Sequence, residues 1–193
     1  MRHPVTCGIL AGGASARMGQ NKAVLEFRGK PLIRHQLDLL TPLCQEVIIG
    51  ANDPETYAPF NVRVVPDVLS ERCALTGIHA LVKAAGPATR VFVVACDMPF
   101  LNPALIQRLL SYHEFDVVVP ETERGLEPLH AVYGPWCVRR IEEGAQRGAW
   151  KVSDFYKTVR TKRVRIQEAD WLVEGRSPFT NANTPDDWRS AAP

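Results

Sequence analysis

The sequence predicts an α/β protein, a mostly parallel sheet with helices on both faces in three αβα layers. Three observations predict it. Apolar runs of strand length recur along the chain, and between them lie segments with leucine and isoleucine at helical spacing. Runs such as Val91-Phe92-Val93-Val94-Ala95 are apolar at successive residues, the pattern of strands buried on both faces. At 193 residues the chain is expected to form one domain spanning 1–193, long enough to bury about 70% of its unfolded surface.

The elements follow in order. Val5-Thr6-Cys7-Gly8-Ile9-Leu10 is a first buried strand. Residues 23–27 run to a turn at Arg28-Gly29-Lys30, and Pro31 stands where a helix would begin, its fixed φ suiting the first helical position. Ile33, Leu37 and Leu40 line one face of that helix, widened by Leu32, Leu39 and Leu43. Residues 47–51 and 62–65 are the next strands. Ile78, Leu81, Val82 and Ala85 mark a helix that Gly86-Pro87 stops. After the strand 91–95, Asn102-Pro103 opens another helix, with Leu105, Ile106, Leu109 and Leu110 inward. Strands at 116–119 and 130–133 follow. Beyond about residue 146 the chain is less regular and more polar, as expected of a lobe that closes over a substrate.

Composition excludes several classes of function. Apolar residues make up 46% and charged residues 23%, as in an ordinary water-soluble domain. A net charge of +2 gives no electrostatic case for a nucleic-acid or membrane partner. No apolar run approaches the length of a membrane span, and the N-terminus lacks an apolar leader core. The five cysteines are odd in number, widely spaced and never Cys-x-x-Cys, which argues against zinc, redox and disulfide frameworks. Cys7 and Cys96 lie in apolar runs as small buried hydrophobes. A cytoplasmic location is expected.

The most informative segment is Leu10-Ala-Gly-Gly-Ala-Ser-Ala-Arg-Met-Gly-Gln-Asn-Lys22, which the first strand enters directly. Gly12, Gly13 and Gly19 leave backbone N–H groups open to close approach by an anion, and Arg17 and Lys22 add full positive charge. The arrangement suits a polyphosphate. It is neither a P-loop, since Gln20 follows Gly19, nor a dinucleotide fingerprint, since Gly12-Gly13-Ala14-Ser15 breaks the Gly-x-Gly spacing. A plain connecting turn accounts for the glycines but not for the two cations beyond them.

The second informative segment is Cys96-Asp97-Met98-Pro99, immediately after the most apolar strand. Asp97 can be read as a turn or capping residue ahead of Pro99 and Pro103. It can also be read as an oxygen ligand for Mg²⁺, which commonly takes one or two carboxylates plus phosphate oxygens. Asp67, in Pro66-Asp67, holds an equivalent place after the third strand.

These segments together resemble a known family. The loop at 10–22 looks like the signature of nucleotidyltransferases that activate molybdenum cofactor, isoprenoid and sugar precursors. The whole chain is most similar to the molybdenum cofactor guanylyltransferase family. The similarity also covers Gly29-Lys30-Pro31-Leu32, Val65-Pro66-Asp67, Cys96-Asp97-Met98-Pro99, Glu127-Pro128-Leu129-His130-Ala131-Val132-Tyr133 and Asn181-Ala182-Asn183-Thr184-Pro185-Asp186-Asp187.

The resemblance implies a Rossmann-like fold and transfer of GMP from GTP to the terminal phosphate of molybdenum-bound molybdopterin, releasing pyrophosphate. It implies that Leu10, Ala11, Gly12 and Gly13 hold the triphosphate with Arg17 and Lys22. By the same carry-over Asp97 holds Mg²⁺, while Asn52 and Asp67 meet guanine. Asn181 and Asn183 fall on the molybdopterin side. The nucleotide half would span about 1–100 and the molybdopterin half about 101–193, with molybdenum-inserting proteins or apo-molybdoenzymes as possible contacts. The nearest alternatives are a cytidylyltransferase for molybdopterin and a sugar-phosphate nucleotidyltransferase. A non-catalytic nucleotide-binding regulator is the alternative from another class.

The chain departs from the family pattern at three places. The loop ends Asn21-Lys22 where Asp-Lys is common, Gly50 stands where an extra asparagine is frequent, and Cys73-Ala74-Leu75-Thr76-Gly77 replaces a Gly-Pro-Leu segment. Some residues carry two readings. Asn52 also suits a turn before Asp53-Pro54, and Asn183-Thr184-Pro185 also suits a helix start. His130 either lines the pocket or is a satisfied, half-buried histidine. His35 and His79 read as structural. The basic run Arg160–Arg165 reads as a solvated strand edge.

Overall fold

The computed structural model describes residues 4–12 and 21–182. The chain order is β1 (Val5–Leu10), β2 (Glu26–Phe27), β3 (Lys30–Pro31), α1 (Leu32–Leu40), β4 (Glu46–Gly50), β5 (Arg63–Val65), α2 (Ala74–Ala85) and β6 (Arg90–Ala95). It continues with α3 (Pro103–Leu110), β7 (Val117–Thr122), β8 (Gly125–Leu126), β9 (His130–Tyr133), α4 (Trp136–Gln146), α5 (Val152–Phe155) and β10 (Thr161–Arg165). Short 3-10 turns cover Lys22–Val24, Glu55–Phe60, Tyr156–Thr158 and Glu168–Trp171.

The main sheet runs β10-β7-β9-β6-β1-β4-β5, with β8 hairpinned onto β7. Pairings β5–β4, β4–β1, β1–β6 and β7–β10 are parallel, while β9 runs antiparallel between β6 and β7. Alternate side chains enter opposite cores. Phe92 and Val94 pack with Ile33, Leu37 and Leu40 of α1 and Leu105, Ile106 and Leu109 of α3. Val91 and Val93 pack with Leu75, Ile78 and Leu81 of α2, Ile141 of α4 and Phe155 of α5. Both faces are thereby covered, which is why these strands are apolar at every position.

Local signals act where expected. The Asn102 carboxamide oxygen caps α3 by accepting from the Ala104 and Leu105 amides at 2.9 and 3.1 Å, with Pro103 opening the helix. Gly86 ends α2 at φ 94°, a left-handed geometry that a side chain would strain.

Three expectations shift. Pro31 ends the β2–β3 hairpin and caps α1 instead of opening it. Of residues 23–27, only Glu26 and Phe27 are strand. The tail beyond 146 is not a separate lobe throughout: β10 joins the main sheet as an edge strand beside β7, buries Val164, holds Arg163 and Arg165 out to solvent, and lays Lys162 over the Tyr112 and Phe115 rings. No helix among the described residues is long and apolar enough to cross a membrane.

Sheet order sets the location of the site. From β1 the chain builds outward to β4 and β5, then returns through α2 to place β6 on the other side of β1. Such a reversal opens a crevice at the carboxyl ends of the strands.

Candidate functional site

Register aligns the strand ends. Leu10 faces Gly50 on one side and Ala95 on the other, and Gly50 faces Val65, so four carboxyl ends form one row. The segments that leave this row are 66–67, 51–52, 11–12 and 96–97. Asp67, Asn52, Gly12 and Asp97 thus emerge on a single edge, although they are far apart in sequence.

Around β1 and β6 the chemistry is ionic. Lys22 Nζ lies 4.0 Å from Asp97 Oδ2, with only 14% and 22% of the two side chains exposed. Burial pushes the Asp97 carboxyl above the usual carboxylate range, opposed by the Lys22 ammonium and a backbone N–H. A carboxylate short of water beside one lysine is a place that further positive charge would stabilise. Among the described residues no three His, Cys, Asp or Glu side chains cluster to hold a metal. Asp97 is the side chain here that could hold a divalent cation, with substrate oxygens and water completing its shell.

The amides of Ala11 and Gly12 do not wait for an anion. Both donate to the Gly50 carbonyl, at 3.0 and 3.1 Å. In this structure these two N–H groups fix the loop mouth to β4. A Cβ on Gly12 would meet Ala51 Cα and Gly50 O at an ordinary 3.7 Å, so these neighbours do not themselves require glycine. Gly77 behaves differently. A Cβ there would come within 2.6 Å of Leu10 Cδ2, so its bareness lets α2 approach the end of β1. Gly13, Arg17, Gly19 and Asn183 lie outside the described residues.

Around β4 and β5, Asn52 and Asp67 make a reciprocal pair. Asn52 Nδ2 donates to Asp67 Oδ2 at 2.9 Å, and the Asp67 amide donates to Asn52 Oδ1 at 2.8 Å. Both polar ends of Asn52 are engaged, so it orients Asp67, whose other oxygen faces no hydrogen bond among those described.

On the far side, the Ala182 amide donates to the Asp97 carbonyl at 2.8 Å, bringing the exposed Asn181 beside the Asp97 turn. Beneath that turn lies Gln36, a fully buried residue that periodicity alone did not single out. Its Nε2 donates to the carbonyls of Ala95 and Met98, both at 2.9 Å, and so clasps the two ends of the turn. A glutamine on the apolar stripe of α1 was the available signal. Tyr57, also fully buried, carried none: it sits in a 3-10 turn and reaches the loop only in three dimensions.

His130 is not half-buried and satisfied. It is fully buried between Phe92 and Phe179, with ring centroids 5.1 Å from each, and neither nitrogen has a partner among the described residues. His35 and His79 are structural as expected, meeting the Pro99 carbonyl at 3.0 Å and the Glu142 carboxylate at 2.9 Å.

Residues 7–162 match the family model of the MobA-like NTP transferase domain. The chain belongs to this family. It is 42% identical over 180 residues to a Pelotomaculum thermopropionicum protein named "Probable molybdenum cofactor guanylyltransferase", covering 93% of this chain and 87% of that one. It is 37% identical over 195 residues to the molybdenum cofactor guanylyltransferase of Desulfosudis oleivorans, covering 97% and 94%. The fold matches the crystal structure of molybdopterin-guanine dinucleotide biosynthesis protein A from Archaeoglobus fulgidus with a TM-score of 0.80 at 23% identity, covering 97% of this chain and 96% of that one. The Rossmann-like sheet and the nucleotidyltransferase family expected from the motifs are both met.

Proposed function

We propose that this member of the family transfers GMP from GTP to the terminal phosphate of molybdenum-bound molybdopterin, forming a dinucleotide and releasing pyrophosphate. The observation that carries the reading is the single row of strand ends that places the Asn52–Asp67 pair, the loop mouth, Lys22 and Asp97 along one edge. A nucleotide laid along this row would meet groups matched to it: its base at the Asn52–Asp67 pair, and its triphosphate, with the reacting α-phosphate, between the loop mouth and Asp97.

The free oxygen of Asp67 can accept from guanine N1–H and the exocyclic amine, a donor pair that cytosine lacks. Lys22, with Arg17 from the loop, neutralises charge on the departing pyrophosphate. Asp97 is the residue that would hold Mg²⁺. When bound, the ion supplies Lewis-acid polarisation and orients the α-phosphate. The attacking phosphate is ionised at neutral pH, so no strong base is needed. Asn181 and Asn183 would face the acceptor, in keeping with a nucleotide half over about 1–100 and an acceptor half over about 101–193. Molybdenum-inserting proteins and apo-molybdoenzymes are the contacts this chemistry would call for, in the cytoplasm.

The test is pyrophosphate release from purified protein with Mg²⁺, molybdopterin–molybdate and either GTP or CTP. Release with GTP alone supports the reading. Release with CTP alone overturns the base assignment, and silence with both overturns the reaction. Asp67→Asn should lower kcat/KM for GTP by about a hundredfold, since a lost acceptor leaves guanine donors unpaired. An unchanged GTP-to-CTP ratio in that variant would remove Asp67 from base recognition.

A further inference from the structure

A directed chain of hydrogen bonds ties the two ends of the glycine-rich loop together. The Asn21 side chain accepts the Ala23 amide at 3.1 Å through Oδ1, which fixes the orientation of its carboxamide. Its Nδ2 must then be the group 2.9 Å from the Tyr57 hydroxyl. The Tyr57 oxygen lies 3.2 Å from the Ala11 carbonyl, which can only accept. The hydroxyl proton therefore has one destination. Direction runs from Asn21 through Tyr57 to Ala11.

The chain acts on both margins of the loop. At the start, the Ala11–Gly12 peptide is held on both sides, its carbonyl by Tyr57 and its N–H by Gly50. At the end, the same Asn21 carboxamide caps the short turn that begins with Lys22. Burial pushes the Tyr57 hydroxyl up to about 12, so it stays a donor at neutral pH. An aspartate at position 21 would present two acceptors. It would compete with Ala11 for the only proton Tyr57 has, and the Ala11 carbonyl would lose its donor.

We propose that Asn21 and Tyr57 are positioning residues for nucleotide binding, a one-way relay that sets the loop mouth and Lys22 in register. Neither touches substrate. The relay rests on the nucleotide-transfer reading above.

The experiment is a double-mutant cycle with Tyr57→Phe, Asn21→Asp and the double variant, read as the Kd for Mg²⁺·GTP and as kcat from pyrophosphate release. Each single change should raise Kd about tenfold, the worth of one hydrogen bond to a part-buried carbonyl, with kcat at saturating GTP changed less than about threefold. In the Tyr57→Phe background, Asn21→Asp should add less than about threefold more, because the relay is already cut. Additive effects overturn the relay in favour of simple charge repulsion by the new acid. A fall in kcat at unchanged Kd, with lower thermal stability, overturns it in favour of a fold-holding role. Wild-type protein that binds GTP but releases no pyrophosphate overturns the transfer reading, while the Kd cycle still decides the relay. Wild-type protein that binds none of GTP, CTP and ATP overturns both.

Discussion

Asp97→Ala should lower pyrophosphate release from GTP by at least about a thousandfold and leave the protein slightly more stable to heat. The loss follows from geometry: Asp97 is the carboxylate beside Lys22, and among the described residues no cluster of three His, Cys, Asp or Glu side chains could hold a cation without it. The gain follows from linkage. Burial raises the Asp97 carboxyl above its unfolded value, so its ionised form costs stability at neutral pH. Asp97→Asn removes the charge at nearly constant shape and should show the same pair of effects. Inactivity with raised melting temperature is the signature of a residue kept for chemistry at the expense of stability. Turnover near wild type in either variant would remove Asp97 from the metal site. A collapse in melting temperature would recast it as structural.

Acid should destabilise the fold through His130. Burial pushes this imidazole down to about 3, whereas the unfolded chain takes the proton near pH 6.5. With the folded value depressed, the contribution is complete above pH 6.5 and is lost as pH falls toward 3. Between pH 7.5 and pH 5 the loss is about 2 kcal/mol, roughly 1.5 pH units at 1.36 kcal/mol each. The check is denaturant unfolding at both pH values for the wild type and for His130→Leu, which is close in volume and cannot titrate. The variant should lose about 2 kcal/mol less on acidification. At pH 7.5 it should be close to wild type, because two aromatic edge contacts are given up while two nitrogens without a partner among the described residues leave the core. Equal acid sensitivity in the two proteins would show that His130 finds a partner or a proton in the folded state. His35 is also pushed down by burial, so part of the acid sensitivity should survive in the variant.

Much of the fold was legible because its determinants are local. Strand-length apolar runs predicted β1, β4, β5, β6 and β7, and the Asn102-Pro103 pair marked the start of α3 to the residue. The loop's chemistry was equally plain, since three glycines and two cations within thirteen residues declare themselves without a partner. Gln36 was partly legible, as an amide breaking an apolar stripe. Where the periodicity argument failed, at Pro31 and across residues 23–27, a two-residue hairpin was too short to carry any period.

By itself, then, the sequence determined which segments become strands and helices and which residue types could meet a nucleotide, because propensity, capping and alternation act over a few residues. Only the tertiary structure decided which of those residues meet. The reversal at β1 and the antiparallel insertion of β9 set the strand order. That order brings Lys22 to Asp97, Asn52 to Asp67, Tyr57 beneath Ala11 and Ala182 onto the Asp97 carbonyl. Contacts between distant residues depend on sheet order and register, which no window of neighbouring residues contains. The same packing spent the Ala11 and Gly12 amides on Gly50 and turned Asn52 toward its neighbour. The chemistry was written along the chain, and its geometry arose only when one row of strand ends collected it.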